Sequence, residues 1–196
     1  MGHDGVSGYG GGMSTTSMRR DEIIAVATGI FSRFGYAKTT LVEIARRSAI
    51  SRPTLYAEFA DKDELFSAVI TGMANAMLET IDTELAKIDG LRPRLKCACS
   101  LWVRSGYDLV RENPEAADLF DPRFSAVLES NKRFETLLAQ LVADTKPAAD
   151  SALSVDRIAE TMTLATQGIK RFATDVEHLD ALLDTLVAVV CVALDE

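Results

Sequence analysis

The stretch from Thr39 to Lys62, TTLVEIARRSAISRPTLYAEFADK, leaves the chain few ways to fold. Thr40 stands three residues before Glu43, the spacing of a capping box, in which the hydroxyl accepts the Glu43 N–H and the carboxylate reaches back. Leu41, Ile44 and Ala45 then fall on one helical face. Ser48, Ala49 and Ile50 make a tight turn. Ser51 is a good N-cap for a second helix, and Pro53 is tolerated in its first turn, where no N–H partner is lost. That helix, Arg52 to about Phe59, turns Leu55 and Phe59 inward. It leaves Arg52, Thr54 and Tyr56 at its start or on its outward side, unless the Tyr56 ring packs on Leu41 or Phe59. A short helix with polar and cationic residues at its leading end, set behind a tight turn, is a helix-turn-helix arrangement.

Around this unit the periodicity is helical throughout, and no strand pattern or internal repeat appears. Ile23, Ile24, Ala27, Ile30, Phe31 and Phe34 mark one face of a preceding helix from about Met18, which Gly35 ends. Its Arg19 and Arg20 are either solvated or phosphate contacts. Residues 1–17 hold six of the twelve glycines and little to bury, and are expected to be disordered. A long helix follows the turn at Ala60-Asp61-Lys62, from about Asp63 to Ile88. Its Met73 and Met77 either fill core or line a pocket. Pro93 starts another helix, and Asn113-Pro114 and Asp121-Pro122 read as cap-plus-proline starts. The helix after Pro122 carries Phe124, Val127, Leu128, Leu138 and Leu141, and a loop is expected from Lys146 to Ser154.

The last two helices are apolar in different ways. Val155, Ile158, Met162, Ala165, Ile169 and Phe172 form a heptad-like seam. Leu179, Leu182, Leu183, Leu186, Val187, Val189, Val190 and Val192 cover nearly every side of the other, which must be buried on several sides.

A net charge of −8 argues against a nucleic-acid partner until it is split along the chain. Residues 18–62 carry eight lysines and arginines against five acids, whereas residues 63–196 carry 13 against 23. The basic footprint is confined to one end, and the acidic remainder favours one docking orientation. No apolar run is long enough for a membrane span, and the N-terminus lacks a signal-peptide pattern, so a cytoplasmic location and no membrane partner are expected. Cys97, Cys99 and Cys191 read as reduced core or pocket thiols; no metal or cofactor is expected. Only His3 and His178 are available to acid–base chemistry, and both read as surface residues. No convergent nucleophile, base and oxyanion set appears, so no enzyme is expected.

Phe34-Gly35-Tyr36, Thr39-Thr40, Glu43-Ile44-Ala45, Ile50-Ser51, Thr54-Leu55-Tyr56, Phe59 and Lys62 occur together in one order and spacing. In this the chain resembles, from about Arg19 to Val69, the tetracycline-repressor (TetR) family of bacterial transcription regulators. It departs at Glu58, where such proteins often carry His; a carboxylate there cannot donate to a phosphate. The resemblance implies an all-α fold: a three-helix helix-turn-helix DNA-binding domain over residues 18–63, then a larger helical ligand-binding and dimerisation domain over 64–196. It implies a sequence-specific, ligand-responsive dimeric repressor acting on double-stranded operator DNA. The last two helices would pair with those of a second copy. A helical adaptor or ligand-binding protein without DNA binding is the alternative, favoured by Glu58 alone.

Thr39, Thr40, Arg52, Pro53, Thr54, Tyr56 and Lys62 form the expected DNA-contacting set. Thr40 and the Tyr56 hydroxyl can donate to phosphate oxygens, and Lys62 brings charge to a helix start. Arg52 and Thr54 can reach base edges, which carry the sequence information. Cys99, Trp102, Tyr107, Phe120, Phe124, Phe134, Met162 and Gln167 are candidates for lining an effector pocket, each with a plain core role as the alternative. Large in apolar area and short of polar anchors, they suit a small lipophilic or aromatic effector.

Overall fold

The computed structural model describes residues 15–144 and 154–194, and every regular element among them is helical. α1 spans Thr15–Lys38, α2 Leu41–Arg47, α3 Arg52–Glu58, α4 Lys62–Leu85, α5 Leu91–Glu112, α6 Ser125–Ala143, α7 Val155–Phe172 and α8 Val176–Ala193. A 3-10 helix, Pro114–Phe120, joins α5 to α6. The expected disordered tail at 1–17 and the expected loop from Lys146 lie almost wholly outside the described residues. No described helix is long and apolar enough to cross a membrane.

Two apolar cores organise these helices. The first joins Ile23, Phe31, Ile44, Leu55 and Phe59 of the leading helices to Leu65, Phe66, Val69 and Ile70 of α4. Ala116 and Leu119 of the 3-10 helix and Ala126 and Val127 of α6 belong to the same core. The expected domain boundary at residue 63 therefore does not coincide with a break in packing. Tyr36, Phe66 and Phe124 close this core as an aromatic cluster, with Tyr36 and Phe66 centroids 4.8 Å apart and Phe66 and Phe124 4.6 Å apart. The second core draws on the far end of α4, on α5 to α8, and on Phe134, Leu138, Met162, Leu179, Leu183 and Val187.

Gly35 sits at φ +72° and interrupts α1, leaving a short turn that runs on to Lys38. A Cβ at this position would overlap the Glu115 carbonyl oxygen, so glycine is required by the backbone angle and by the approach of the 3-10 helix.

Several local expectations need correction. Glu43 does not complete a capping box; its carboxylate is taken by Arg46 and Arg47 on its own helix. Asn113 makes no side-chain cap, and the element after Pro114 is 3-10 rather than α-helical. The Asp121 carboxylate accepts the Arg123 N–H at 2.9 Å, so the chain turns through Pro122 and α6 begins only at Ser125. Leu128 faces solvent. In α7 the buried ladder is Ile158, Ala159, Met162, Thr163 and Thr166, which shares only Ile158 and Met162 with the seam read from the sequence. Thr166 is tolerated there because its hydroxyl donates to the Thr163 carbonyl at 2.7 Å. Ala165 and Ile169 are half-buried, Ile169 against the second core, while Leu164 and Phe172 point out.

Candidate nucleic-acid interface and internal cavity

The local geometry of the helix-turn-helix follows from its caps. The Thr40 hydroxyl accepts the Glu43 N–H at 3.3 Å, and the Ser51 hydroxyl accepts the Thr54 N–H at 3.2 Å. Ala49 turns the chain between them at φ +54°. Leu55 and Phe59 are buried, which fixes the opposite side of α3 outward. Arg52 and Pro53 are exposed on its first turn, and Tyr56 is exposed one turn on. The side chains of Arg52 and Tyr56 have no hydrogen-bond or ion-pair partner among the described residues. Thr54 is half-buried and shares a 2.7 Å hydrogen bond with Ser51.

Thr39 does not belong to this surface. It is 2% exposed, and its hydroxyl donates to the Gly35 carbonyl at 2.6 Å. Lys62 is half-buried with its ammonium 3.9 Å over the Tyr36 ring, and burial lowers its pKa. The Tyr36 hydroxyl in turn donates to Asp63, a bond that pushes its own pKa up to about 12. Lys62 is thus part of a bracket at the start of α4, with its charge turned partly inward.

Arg20, Arg46 and Arg47 are held by acids. Arg46 and Arg47 pair with Glu43 at 2.9 and 2.6 Å, and their hydrogen bonds hold the Glu43 carboxyl at a pKa of about 2. Arg20 is part-exposed, and its guanidinium is engaged within the chain. It donates to the Glu58 carbonyl, pairs with Glu64 at 3.0 Å and lies 4.0 Å over the Phe59 ring, so it clamps the end of α3 to α1 and α4. The Arg20–Glu64 pairing is 44 residues apart in sequence, and no local pattern marks it.

The second feature is a cavity of about 350 Å³, open to solvent on one side and bounded by α4, α5, α6, α7 and the 3-10 helix. Met73, Met77, Trp102, Leu109, Leu119 and Phe120 give it an apolar wall; Ser105, Ser130, Asn131 and Lys170 add polar groups. Of the expected pocket residues, Trp102 and Phe120 line it, and Tyr107, Phe120 and Gln167 line an adjoining wider space of about 1060 Å³. Cys99, Phe134 and Met162 are sealed in the second core, and Phe124 belongs to the aromatic cluster beside Tyr36. Trp102 stacks on Phe134 at 4.5 Å, so only one face of the indole is taken by the core. Met73 and Met77 line this cavity and also pack against the first and second cores respectively.

Lys170 was missed, although a signal existed. It continues the buried ladder of α7 four residues after Thr166 and seven after Thr163, where an apolar residue is expected. Its ammonium lies 4.1 Å over the Phe120 ring, and burial pushes its pKa down to about 8. Gly106 makes room for it: a Cβ there would meet Lys170 and Phe120 at 3.0 Å.

His178 is exposed in the first turn of α8, with Nδ1 3.3 Å from the Thr174 backbone nitrogen, which donates to it. Among the described residues no three His, Cys, Asp or Glu side chains converge to hold a metal ion.

Comparison with known proteins bears on the same segment. Residues 23–69 match the family model described as bacterial regulatory proteins, tetR family. A regulator named HTH-type transcriptional regulator HbdR, from Aromatoleum sp., is 34% identical over 86 residues. That match covers 43% of this chain and spans about a third of the relative's length, 36%. The HTH-type transcriptional repressor ComR of Escherichia coli is 25% identical over 179 residues, 84% of this chain and 83% of the relative. A solved TetR-family regulator from Cytophaga hutchinsonii superposes with a TM-score of 0.68 at 16% identity, covering 90% of this chain and 96% of that one.

Proposed function

We propose that the chain is a regulator of the TetR type, whose family model residues 23–69 match: a sequence-specific DNA-binding transcription regulator that works as a homodimer and answers to a small ligand. The observation that carries this reading is the outward face of α3. Arg52 and Tyr56 project from it without hydrogen-bond or ion-pair partners among the described residues, on a helix whose other side is locked by Leu55 and Phe59. Arg52 supplies a charged, forked donor set for base edges or phosphate, and the Tyr56 hydroxyl a phosphate donor. Thr40 stands exposed at the start of α2, and Arg46 and Arg47 add positive charge beside it. Lys62 contributes field more than direct contact.

The dimer reading rests on α7 and α8. Leu164 and Phe172 on α7 and Val189 and Val192 on α8 are 66%, 73%, 61% and 75% exposed. Large apolar side chains this exposed on two adjacent helices suit a buried interface with a second copy. The cavity beside Trp102 is the candidate effector site; its size is at the small end for small-molecule pockets, roughly 300–1,000 Å³. Repression rather than activation is the sign we infer, by likeness to ComR, a relative named as a repressor that is matched over most of its length, whereas FasR, named as an activator, is matched over less than half.

Fluorescence anisotropy of a labelled random-sequence duplex at low salt tests DNA binding itself. The wild-type chain is expected to bind, with an affinity that falls steeply as salt rises. The Arg52→Ala/Tyr56→Ala variant is expected to lose most of that binding while keeping its helical circular dichroism. Equal binding by the two proteins would move the interface off α3.

A further inference from the structure

We propose that the cavity beside Trp102 takes a monocarboxylate with an apolar body, its carboxylate seated between Lys170 and Asn131. This rests on the effector-binding reading above and names the chemistry of that same site.

Lys170 stands where the 350 Å³ cavity meets the wider space on its other side, and Phe120 and Asn131 line both as well. A cation in this position ordinarily finds a carboxylate. None is available. Asp118 and Asp121 face the wider space, but Asp118 accepts the Tyr36 and Ala37 N–H groups and Asp121 is paired with Arg123 at 2.6 Å. The other charged groups lining that space are Arg111 and Arg171, both cations. The neighbours of Lys170 are an aromatic ring, a glycine and an amide, so its charge is compensated only by the Phe120 π-face. Desolvation without an ion partner is the sole cause of its lowered pKa.

Asn131 supplies the second donor. Its Oδ1 accepts from Gln167 Nε2 at 3.0 Å, which leaves its NH₂ group to donate. A carboxylate between the two groups would restore the charge state Lys170 has in water and satisfy the amide. One cation and one amide match a single negative charge better than a phosphate of about two charges. The apolar body would then run along Met73, Met77 and Trp102. The sequence suggested a lipophilic or aromatic ligand with few anchors; the buried lysine adds an acid head to that description.

The test is direct binding to the full chain, read by calorimetry and by Trp102 emission with no DNA present, so it does not depend on operator binding. Benzoate, 4-phenylbutanoate and octanoate are each compared with the matching primary amide at pH about 7. At least one carboxylate is expected to bind about tenfold or more tightly than its amide. Lys170→Met should bring that carboxylate down to the amide's affinity and leave amide binding unchanged, which also reports an intact cavity. In the wild type the carboxylate's advantage should shrink as pH is raised to about 9.5, past the ordinary onset of Lys170 deprotonation in the empty cavity. No advantage for any acid over its amide, no binding of any acid at millimolar concentration, or an advantage that survives both Lys170→Met and high pH would each overturn the proposal.

Discussion

The Asp118 carboxylate accepts the backbone N–H of Tyr36 at 2.8 Å, across 82 residues of sequence. Its other oxygen accepts the Ala37 N–H, also at 2.8 Å. Gly35 breaks α1 just before these residues, so Tyr36 and Ala37 begin a new turn whose first N–H groups lack helical partners. The 3-10 helix supplies them from outside, and Lys38 adds an ion pair to Glu115 at 2.8 Å. Two residues after Asp118, Phe120 lines the cavity beneath Lys170. One short segment therefore touches the candidate effector site on one side and the base of the helix-turn-helix on the other. α4, which starts at the helix-turn-helix and lines the cavity further along, is the other connection between them.

Asp118→Ala removes two charge-assisted hydrogen bonds, one from the part-buried Tyr36 N–H and one from the exposed Ala37 N–H. It is expected to cost about 1–3 kcal/mol in denaturant unfolding. If the 3-10 helix carries the coupling, the factor by which a cavity ligand changes DNA affinity should also shrink in this variant. That factor is reciprocal, so the change in ligand affinity on DNA binding must shrink equally. An unchanged factor would return the coupling to α4.

Gly35→Ala combines a positive φ with a clash against the Glu115 carbonyl. A loss of about 2–4 kcal/mol is expected, with weakened DNA binding because the 3-10 helix and α1 must separate. A thermal melt within a degree or two of wild type would contradict the close approach.

Lys170 gives stability a pH dependence whose sign is set by its lowered pKa. Between about 8 and the unfolded value of 10.5 the unfolded chain holds a proton that the native chain has released, so stability rises with pH in that window. Below it the native state carries the whole penalty, about 3 kcal/mol at most. Lys170→Met should therefore be more stable than wild type at pH 7, and the difference should narrow as pH rises. Tyr36 acts in the opposite sense above pH 10, where its raised pKa makes stability fall, and it does so equally in both proteins.

Much of the fold was legible because it is written in local signals. The Thr40 and Ser51 caps, the turn at Ala49 and the inward Leu55 and Phe59 all follow from spacing within a dozen residues. What was not legible depends on tertiary partners. Thr39 looks like a polar surface residue until its hydroxyl finds the Gly35 carbonyl, and Arg20 looks solvated until Glu64 and Phe59 close around it. The eight pocket candidates were large side chains on inward faces. Four of them fill solid core instead, because periodicity reports that a face is buried and says nothing about whether the space behind it is empty. Asn131 and Lys170 were passed over for the converse reason, as polar residues on buried faces.

The same limit applies to the seam on α7, and it decides where an assembly test must be placed. Ile169 packs inward, so Ile169→Glu would damage the fold. Leu164→Glu and Val192→Glu lie on the exposed faces and are expected to yield folded monomers by light scattering at micromolar concentration, with the wild type a dimer. A wild-type monomer mass would remove the assembly claim.

Selection of bound duplexes from a random pool by the wild-type chain tests the central claim most directly. Enrichment of a single palindromic site is predicted, with half-sites separated by about 10 base pairs or a multiple of that. Arg52→Ala should relax the preference at one position in each half-site, at a cost of about 1–3 kcal/mol. A pool that stays random after repeated rounds, with a folded dimer in hand, would contradict the account and leave a helical ligand-binding protein that does not read DNA.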